Sequence, residues 1–219
     1  MLAVSGAEKA DEIWCLGDLV DFGPEPEETV RWVQQHVTHC VRGNHDNAMG
    51  YGVACGSGSA FLELSCFSRE MNRKLLGKEQ LQFLRALPII CDLDVGGTLV
   101  RLAHADPKGD LYRFDLTPQL SDQELAKAID GISAELIFGG HTHFPMIRHV
   151  AGKIFVNPGS VGQPLDRDAR ASYATYKDGK VTLRRVSYDV LKVTEKLHEH
   201  LPNPSIAHRL AMILQTGTN

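Results

Sequence analysis

The chain has 219 residues, 43% of them hydrophobic, and a formal net charge of −4 at pH 7. That is apolar enough to bury a full core in one domain and offers no basic field for gripping long nucleic acid. No apolar run approaches the ~20 residues that span a bilayer, residues 1–10 lack the basic start and apolar stretch of a leader, and the five cysteines form no CxxC pair; together these predict a cytoplasmic protein with reduced thiols and no membrane partner.

Residues 13–16 are a short apolar run that stops at Gly17-Asp18, the pattern of a buried parallel strand ending in a functional loop. Pro24 and Pro26 open a helix in which Val30, Val33 and Val37 share a face, with Glu25, Glu27 and Glu28 at its positive amino end. Residues 40–42 predict a second strand, again ending at a glycine, Gly43. Residues 47–60, rich in Gly and Ser, predict a mobile loop bordering the cleft, before a helix over 61–76 closed by Gly77. A helix around 79–87 ends at Pro88, and residues 89–94 and 98–103 flank Gly96-Gly97 as a hairpin whose second arm delivers His104. Ser121 and Glu124 make a capping box for a helix to Asp130, and residues 136–138 form a short buried strand running into Gly139-Gly140-His141. Residues 146–150, 153–156, 172–177 and 180–186, separated by turn signals, predict a meander, followed by helices over 190–200 and 206–214. With no repeat or linker, the expectation is one domain over 1–219, an α/β protein built as a four-layer α/β/β/α sandwich of two mixed sheets flanked by helices.

Four clusters, Gly17-Asp18-Leu19-Val20-Asp21, Gly43-Asn44-His45-Asp46, His104 and Gly140-His141-Thr142-His143, fall where apolar strands stop, the place at which open α/β sheets hold ligands. They would bring carboxylate, amide oxygen and imidazole to one cleft. Asp18 has two oxygens and can bridge two cations about 3.5–4 Å apart, a spacing that clamps a phosphoryl group. Asn44 offers a neutral carbonyl oxygen. His141 and His143 would face one way on a strand, whereas a loop after Gly139-Gly140 can turn both toward neighbouring metals. Imidazoles mixed with oxygen ligands favour Mn²⁺, Fe²⁺ or Zn²⁺ over Ca²⁺. His45 is the candidate proton donor to a leaving group, because imidazole titrates near neutrality, with Asp21 or Asp46 as the carboxylate that orients it. Each residue alone has an ordinary explanation, as a strand-end Asp, a turn Asn or a loop His; the combination points to metal-assisted phosphoester hydrolysis. The run from Asn157 to Gly162 lacks the lysine of a phosphate-binding loop and predicts a structural turn near the site. Arg42, Arg113 and Arg167 are read as solvated surface residues, and residues 106–119 as a substrate-facing loop.

In this order GDLVD, RGNHD, a strand-borne His104, GHTHFP and NPGSVGQP resemble the calcineurin-like metallophosphoesterases over nearly the whole chain, and NPGSVGQPLDRDARASYATY is similar to their smaller bacterial, YfcE-type phosphodiesterase branch. The resemblance implies a phosphodiesterase or phosphatase for a small phosphoester, with two divalent metal ions, Mn²⁺ first and Fe²⁺, Zn²⁺ or Ni²⁺ as alternatives. Asp18 would bridge the metals; Asn44, His104 and His141 would complete the second site, and His143 would belong to the first. His45 would be the catalytic acid, paired with Asp21, and an activated water the nucleophile. Phe22 stands where protein phosphatases of this family carry Arg, which argues against a Ser/Thr phosphatase. Family members also have a strand and an Asp-x-His motif ahead of a helix that leads into GDLVD, whereas residues 1–10 start inside that helix. The first metal site is therefore expected to be incomplete and two strand edges unpaired. The competing reading is a noncatalytic metal-binding or protein-interaction scaffold that has lost the first site. Self-association is left open.

Overall fold

The computed structural model describes residues 2–218. In the amino-terminal half, α1 (Leu2–Ala7), β1 (Trp14–Cys15), α2 (Pro26–His36), β2 (His39–Cys40), α3 (Asn44–Tyr51), α4 (Ser59–Leu75) and α5 (Lys78–Ala86) follow one another. β1 and β2 pair in parallel, with Trp14 opposite His39 and Cys15 opposite Cys40. The remainder contributes β3 (Ile90–Val95), β4 (Thr98–Ala103), α6 (Asp122–Ile129), β5 (Leu136–Phe138), β6 (Met146–Val150), β7 (Lys153–Asn157), β8 (Ala171–Lys177), β9 (Lys180–Val186), α7 (Val190–His200) and α8 (Pro204–Thr216). Five strands join in the order β3-β4-β5-β7-β6, parallel in the middle and antiparallel at both ends. β8 and β9 form a separate hairpin.

The two-residue period of a strand sorts side chains onto opposite faces. Ile137 of β5, with Met146 and Phe155, packs against Leu125 and Ile129 of α6. Leu136 and Phe138 turn the other way and join Val100, Leu102 and Val156 in a second layer, shared with Trp14, Leu16 and Val41 and with Ala174, Tyr176 and Val181 of the β8–β9 hairpin. On the far side of β1–β2, Cys15 and Cys40 meet Val30 and Val33 of α2, Met49 of α3 and Leu84 of α5. The layers are thus helix, five-stranded mixed sheet, second strand layer and outer helices, the α/β/β/α order expected. Helices α4, α7 and α8 close one side through Leu64, Leu197 and Leu210. Burying each such side chain contributes about 1.5–3 kcal/mol, so the strand-end loops stand on a stiff base.

Three local expectations need correction. Part of the loop predicted over 47–60 is helix α3: Gly43 is its N-cap, Asp46 at the third position accepts from Gly43 N, and Gly52 ends it in the left-handed region at φ 70°. Gly77 does not close α4. It caps the start of α5, where its N–H donates to Gln80 Oε1 at 2.6 Å, and α4 ends instead on extended Leu76. The predicted meander is split, because β7 pairs with β5 as well as β6, and β8–β9 lies in the other strand layer. Among the described residues the only strand that β1 pairs with is β2, and the only one that β8 pairs with is β9, while α1 packs on that hairpin, where Tyr173 donates to Glu8 Oε1 at 3.0 Å. No helix among them is long and apolar enough to cross a membrane, and the five cysteines are free.

Candidate metal centre

The site begins with two glycines. A Cβ on Gly17, which sits at φ 89°, would lie 2.4 Å from Gly43 N, and a Cβ on Gly43 would lie 2.0 Å from Asp18 Oδ1 and 2.5 Å from Asp18 N. The loops after β1 and β2 therefore pass in backbone contact, an approach that only glycine permits. This places Asp18 and Asn44 side by side. Asp46 fastens the crossing by accepting from Asp18 N at 2.7 Å, Leu19 N at 2.8 Å and Gly43 N at 2.9 Å. Burial and the adjacent Asp18 carboxylate push Asp46 up to about 6, against the pull of these donors.

Backbone strain is concentrated here. Of the eight non-glycine residues with positive φ among the described residues, five are Asp18, Asp21, Phe22, His141 and His143. Each such conformation costs about 1–2 kcal/mol, and strain of this kind collects where a site over-determines the backbone. The left-handed turns at His141 and His143 flank buried Thr142, whose hydroxyl receives Asn157 Nδ2 at 3.0 Å; the same amide donates to Gly140 O at 2.8 Å. Asn157 Oδ1 accepts from Gly159 N, so the Asn157-Pro158-Gly159 turn clasps the histidine loop as a structural support.

Four polar atoms then meet. His104 Nδ1 donates to Leu16 O at 2.6 Å, so Nε2 is the ring atom that faces the site; burial opposes charge on the ring, yet Asp18 beside it raises its hold on a proton, the place a bound cation would take. That Nε2 is 2.9 Å from Asn44 Oδ1, 3.1 Å from His141 Nδ1 and 3.1 Å from Asp18 Oδ2. The Asn44 amide is oriented by Nδ2 donating to Cys55 O at 2.7 Å, so its oxygen faces the histidines, 3.0 Å from His141 Nδ1. Lone pairs packed this closely repel unless a positive charge lies among them. Asp18, His104 and His141 each offer one ligand atom within 4.8 Å of the others, as a cation site requires. Burial, reinforced by the His104 ring, holds His141 down to about 3, and burial holds His143 to about 4, so both rings stay neutral with a lone pair to give. Asp18 is half-buried, which opposes its charge, yet His104 and His45 outweigh burial and keep it ionised. The residues present suit a divalent ion of intermediate hardness.

His143 stands beside this group and not inside it. Its Nδ1 donates to Gln163 O at 2.8 Å, and it feels the Asp18 and His104 charges without joining the three-residue cluster. His45 lies on the other side. Its N–H donates to Asp18 Oδ1 at 2.9 Å, and its Nδ1 donates to Asp21 Oδ2 at 2.7 Å, so Asp21, of the two carboxylates considered, contacts the ring while Asp46 serves the backbone. Phe22 sets its ring against His45 edge to face, centroids 4.9 Å apart.

Two contributors escaped the sequence reading. Arg69 of α4 donates through Nη2 to Asp21 Oδ2 and comes within 3.4 Å of His45 Nδ1. Asn72, one turn on, accepts from Asp21 N at 2.9 Å and donates to Gly23 O at 3.0 Å. Both belong to a polar stripe, Ser65, Ser68, Arg69 and Asn72, at helical spacing; Ser65, Ser68 and Asn72 are fully buried. Of the three arginines read as solvated, Arg42 donates to Tyr51 Oη and Arg85 O, Arg113 pairs with Asp106 and Asp115, and Arg167 is exposed. Within the loop over 106–119, Phe114 lies against His141, centroids 5.1 Å apart.

Residues 2–178 match the calcineurin-like phosphoesterase superfamily domain. The chain is 33% identical over 207 residues to the uncharacterized protein MJ0912 of Methanocaldococcus jannaschii, covering 85% of this chain and 80% of that one. Among solved structures it is similar to a metallophosphoesterase from Sphaerobacter thermophilus, with 29% identity, a TM-score of 0.77 and coverage of 99% of this chain and 92% of the other. The hypothetical protein PH1004 from Pyrococcus horikoshii shares the fold at 19% identity, with a TM-score of 0.80 over 100% of this chain and 90% of that chain.

Proposed function

Since the chain belongs to the calcineurin-like phosphoesterase superfamily, we propose that it is a cytoplasmic, metal-dependent hydrolase of small phosphodiesters or phosphomonoesters. The observation that carries this reading is the meeting of Asp18, Asn44, His104 and His141 around one point, with the His45–Asp21 pair at its edge. These four residues would hold one cation. Asp18 and His143 would contribute to a second, with Mn²⁺ the preferred metal. A bound divalent ion supplies Lewis acidity toward a phosphoryl oxygen and acidifies water.

The chain's own residues supply the proton. His45 Nδ1 is committed to Asp21, so Nε2 is the ring atom that gives a proton to the departing alkoxide as its bond to phosphorus breaks. Asp21, carrying Arg69 on the same oxygen, fixes the ring and stabilises its charged form. Phe22 covers one side of the ring, where protein phosphatases of this family would carry an arginine; the cation at Asp21 comes from Arg69 instead and is held on that carboxylate.

The test is hydrolysis of bis-p-nitrophenyl phosphate and p-nitrophenyl phosphate with added Mn²⁺, alongside direct Mn²⁺ binding. Turnover should vanish with a chelator and fall roughly 10²–10⁴-fold in His45→Ala. Turnover that survives both treatments refutes the assignment; Mn²⁺ binding with neither ester hydrolysed favours a noncatalytic metal-binding scaffold instead.

A further inference from the structure

We infer that an aromatic-lined pocket next to the metal centre is the subsite for a planar aromatic group carried by the substrate phosphoester; this rests on the phosphoesterase reading and names its substrate class. The pocket has a volume of about 400 Å³ and is lined by Phe61, Phe114, Phe144, Leu165, Arg167 and Thr218. Its walls reach the proposed chemistry from both sides. Phe61 is packed edge to face on Phe22, centroids 6.1 Å apart, and Phe22 is packed the same way on His45, so one wall continues to the residue proposed to protonate the leaving group. Phe114 touches the His141 ring, and Phe144 directly follows His143, so the opposite wall continues to the metal ligands.

Three phenylalanines facing one small cavity form a stacking surface, and the volume suits a single ring system more than a polymer. Phe114 is 55% exposed beside the half-buried His141 ring, an apolar face that an incoming group can cover. Arg167 brings the charge. It lines the same pocket at φ 68° and forms no ion pair among the described residues, so its guanidinium is available to a ring edge or to a second anionic group of the substrate. A phosphorus held at Asp18, Asn44, His104 and His141 would therefore direct its organic substituent between Phe61 and Phe114.

A nucleobase and a simple aryl group share this chemistry. The experiment measures binding to the Mn²⁺-loaded protein by calorimetry for methylphosphonate, phenylphosphonate and adenosine 5′-monophosphate. The expected result is phenylphosphonate or the nucleotide binding roughly 10–100-fold more tightly than methylphosphonate; whichever of the two is tighter identifies the source of the ring. Phe114→Ala, a largely exposed position, should cut the preference at least five-fold. Phe61→Leu, which keeps its apolar contact with the α4, α7 and α8 core, should do the same. Equal binding of all three probes, or an aromatic preference unchanged in both variants, overturns the pocket while leaving the hydrolase reading intact. Binding of none of them refutes the phosphoester reading and the pocket with it.

Discussion

Replacing Gly43 by alanine tests whether the crossing of the β1 and β2 loops builds the site. At Gly43 the backbone is ordinary, φ −88°, so no conformational penalty opposes alanine, and loss of unfolded-chain freedom alone would stabilise the protein by about 0.4–1 kcal/mol. Space is what forbids it. The new Cβ would lie 2.0 Å from Asp18 Oδ1, 2.5 Å from Asp18 N and 2.7 Å from Asp18 Cγ, and the backbone nitrogen cannot swing aside while it donates to Asp46. Overpacking against backbone belongs at the upper end of its usual range, about 3 kcal/mol, so the net destabilisation should be about 2 kcal/mol. The carboxylate driven out is the one proposed to hold the cation, so Mn²⁺ affinity should fall by more than the 10–100-fold usual for altering a group behind a ligand. Gly162→Ala is the control: nothing lies within 4 Å of its Cβ position and its φ is not positive, so it should be neutral or slightly stabilising. Urea unfolding in chelator and calorimetric Mn²⁺ titration read the two effects separately. If Gly43→Ala unfolds at the wild-type midpoint and binds Mn²⁺ as tightly, the close approach is not what forms the site.

Asn72→Leu leaves the buried Asp21 N–H without a partner, at about 1–3 kcal/mol, and costs the half-buried Gly23 C=O one hydrogen bond, about 0.5–1.5 kcal/mol; urea unfolding should show a loss of about 2–4 kcal/mol, and a loss under 0.5 kcal/mol would mean that the loop finds other partners. Arg69→Met removes the cation on buried Asp21 but touches no proposed metal ligand, so kcat should fall at least ten-fold with Mn²⁺ affinity within about two-fold of wild type; equal losses in both would place Arg69 in metal binding. Burial opposes charge on His45, yet Asp18 and Asp21 raise it to about 9, so the acid is present below that pH and lost as pH rises through it. A cation on Asp18 cancels part of that support, which puts the alkaline limb of kcat below 9 in the loaded protein. Asp21→Asn withdraws the other carboxylate and should shift the limb to still lower pH, and a limb that stays in place would detach it from His45.

What the sequence disclosed and what it hid divide along a physical line. Asp18, Asn44, His104 and His141 were legible because each directly follows an apolar run, and a buried strand that stops at glycine signals its own end through local chemistry. The capping box at Ser121 and Glu124 was legible for the same reason, since its partners are three residues apart, with Glu124 N donating to Ser121 Oγ at 3.3 Å. Helix α3 was hidden because Asn44-His45-Asp46-Asn47-Ala48-Met49-Gly50-Tyr51 is poor in helix formers and rich in residues typical of loops. It is held by packing of Met49 in the cluster with Leu84 of α5 and by the Gly43–Asp46 contact, both results of the loop crossing and not of propensity. The β5–β7 pairing was hidden as well: the β6–β7 turn is local, but inserting β7 beside β5 depends on Ile137 and Phe155 sharing the α6 face. The polar stripe of α4 is the instructive case. Its spacing was visible, and a helix with Ser65, Ser68, Arg69 and Asn72 on one side reads as having a wet face. The strained turn at Asp21 and Phe22 presents an N–H to Asn72 and a carboxylate to Arg69, while Ser65 and Ser68 turn their hydroxyls back onto their own helix's carbonyls, and together these make the stripe an interior surface. A polar helical stripe should therefore be weighed for burial whenever the same chain carries strand-end acidic loops with unmet hydrogen bonds, since those two deficits can satisfy each other.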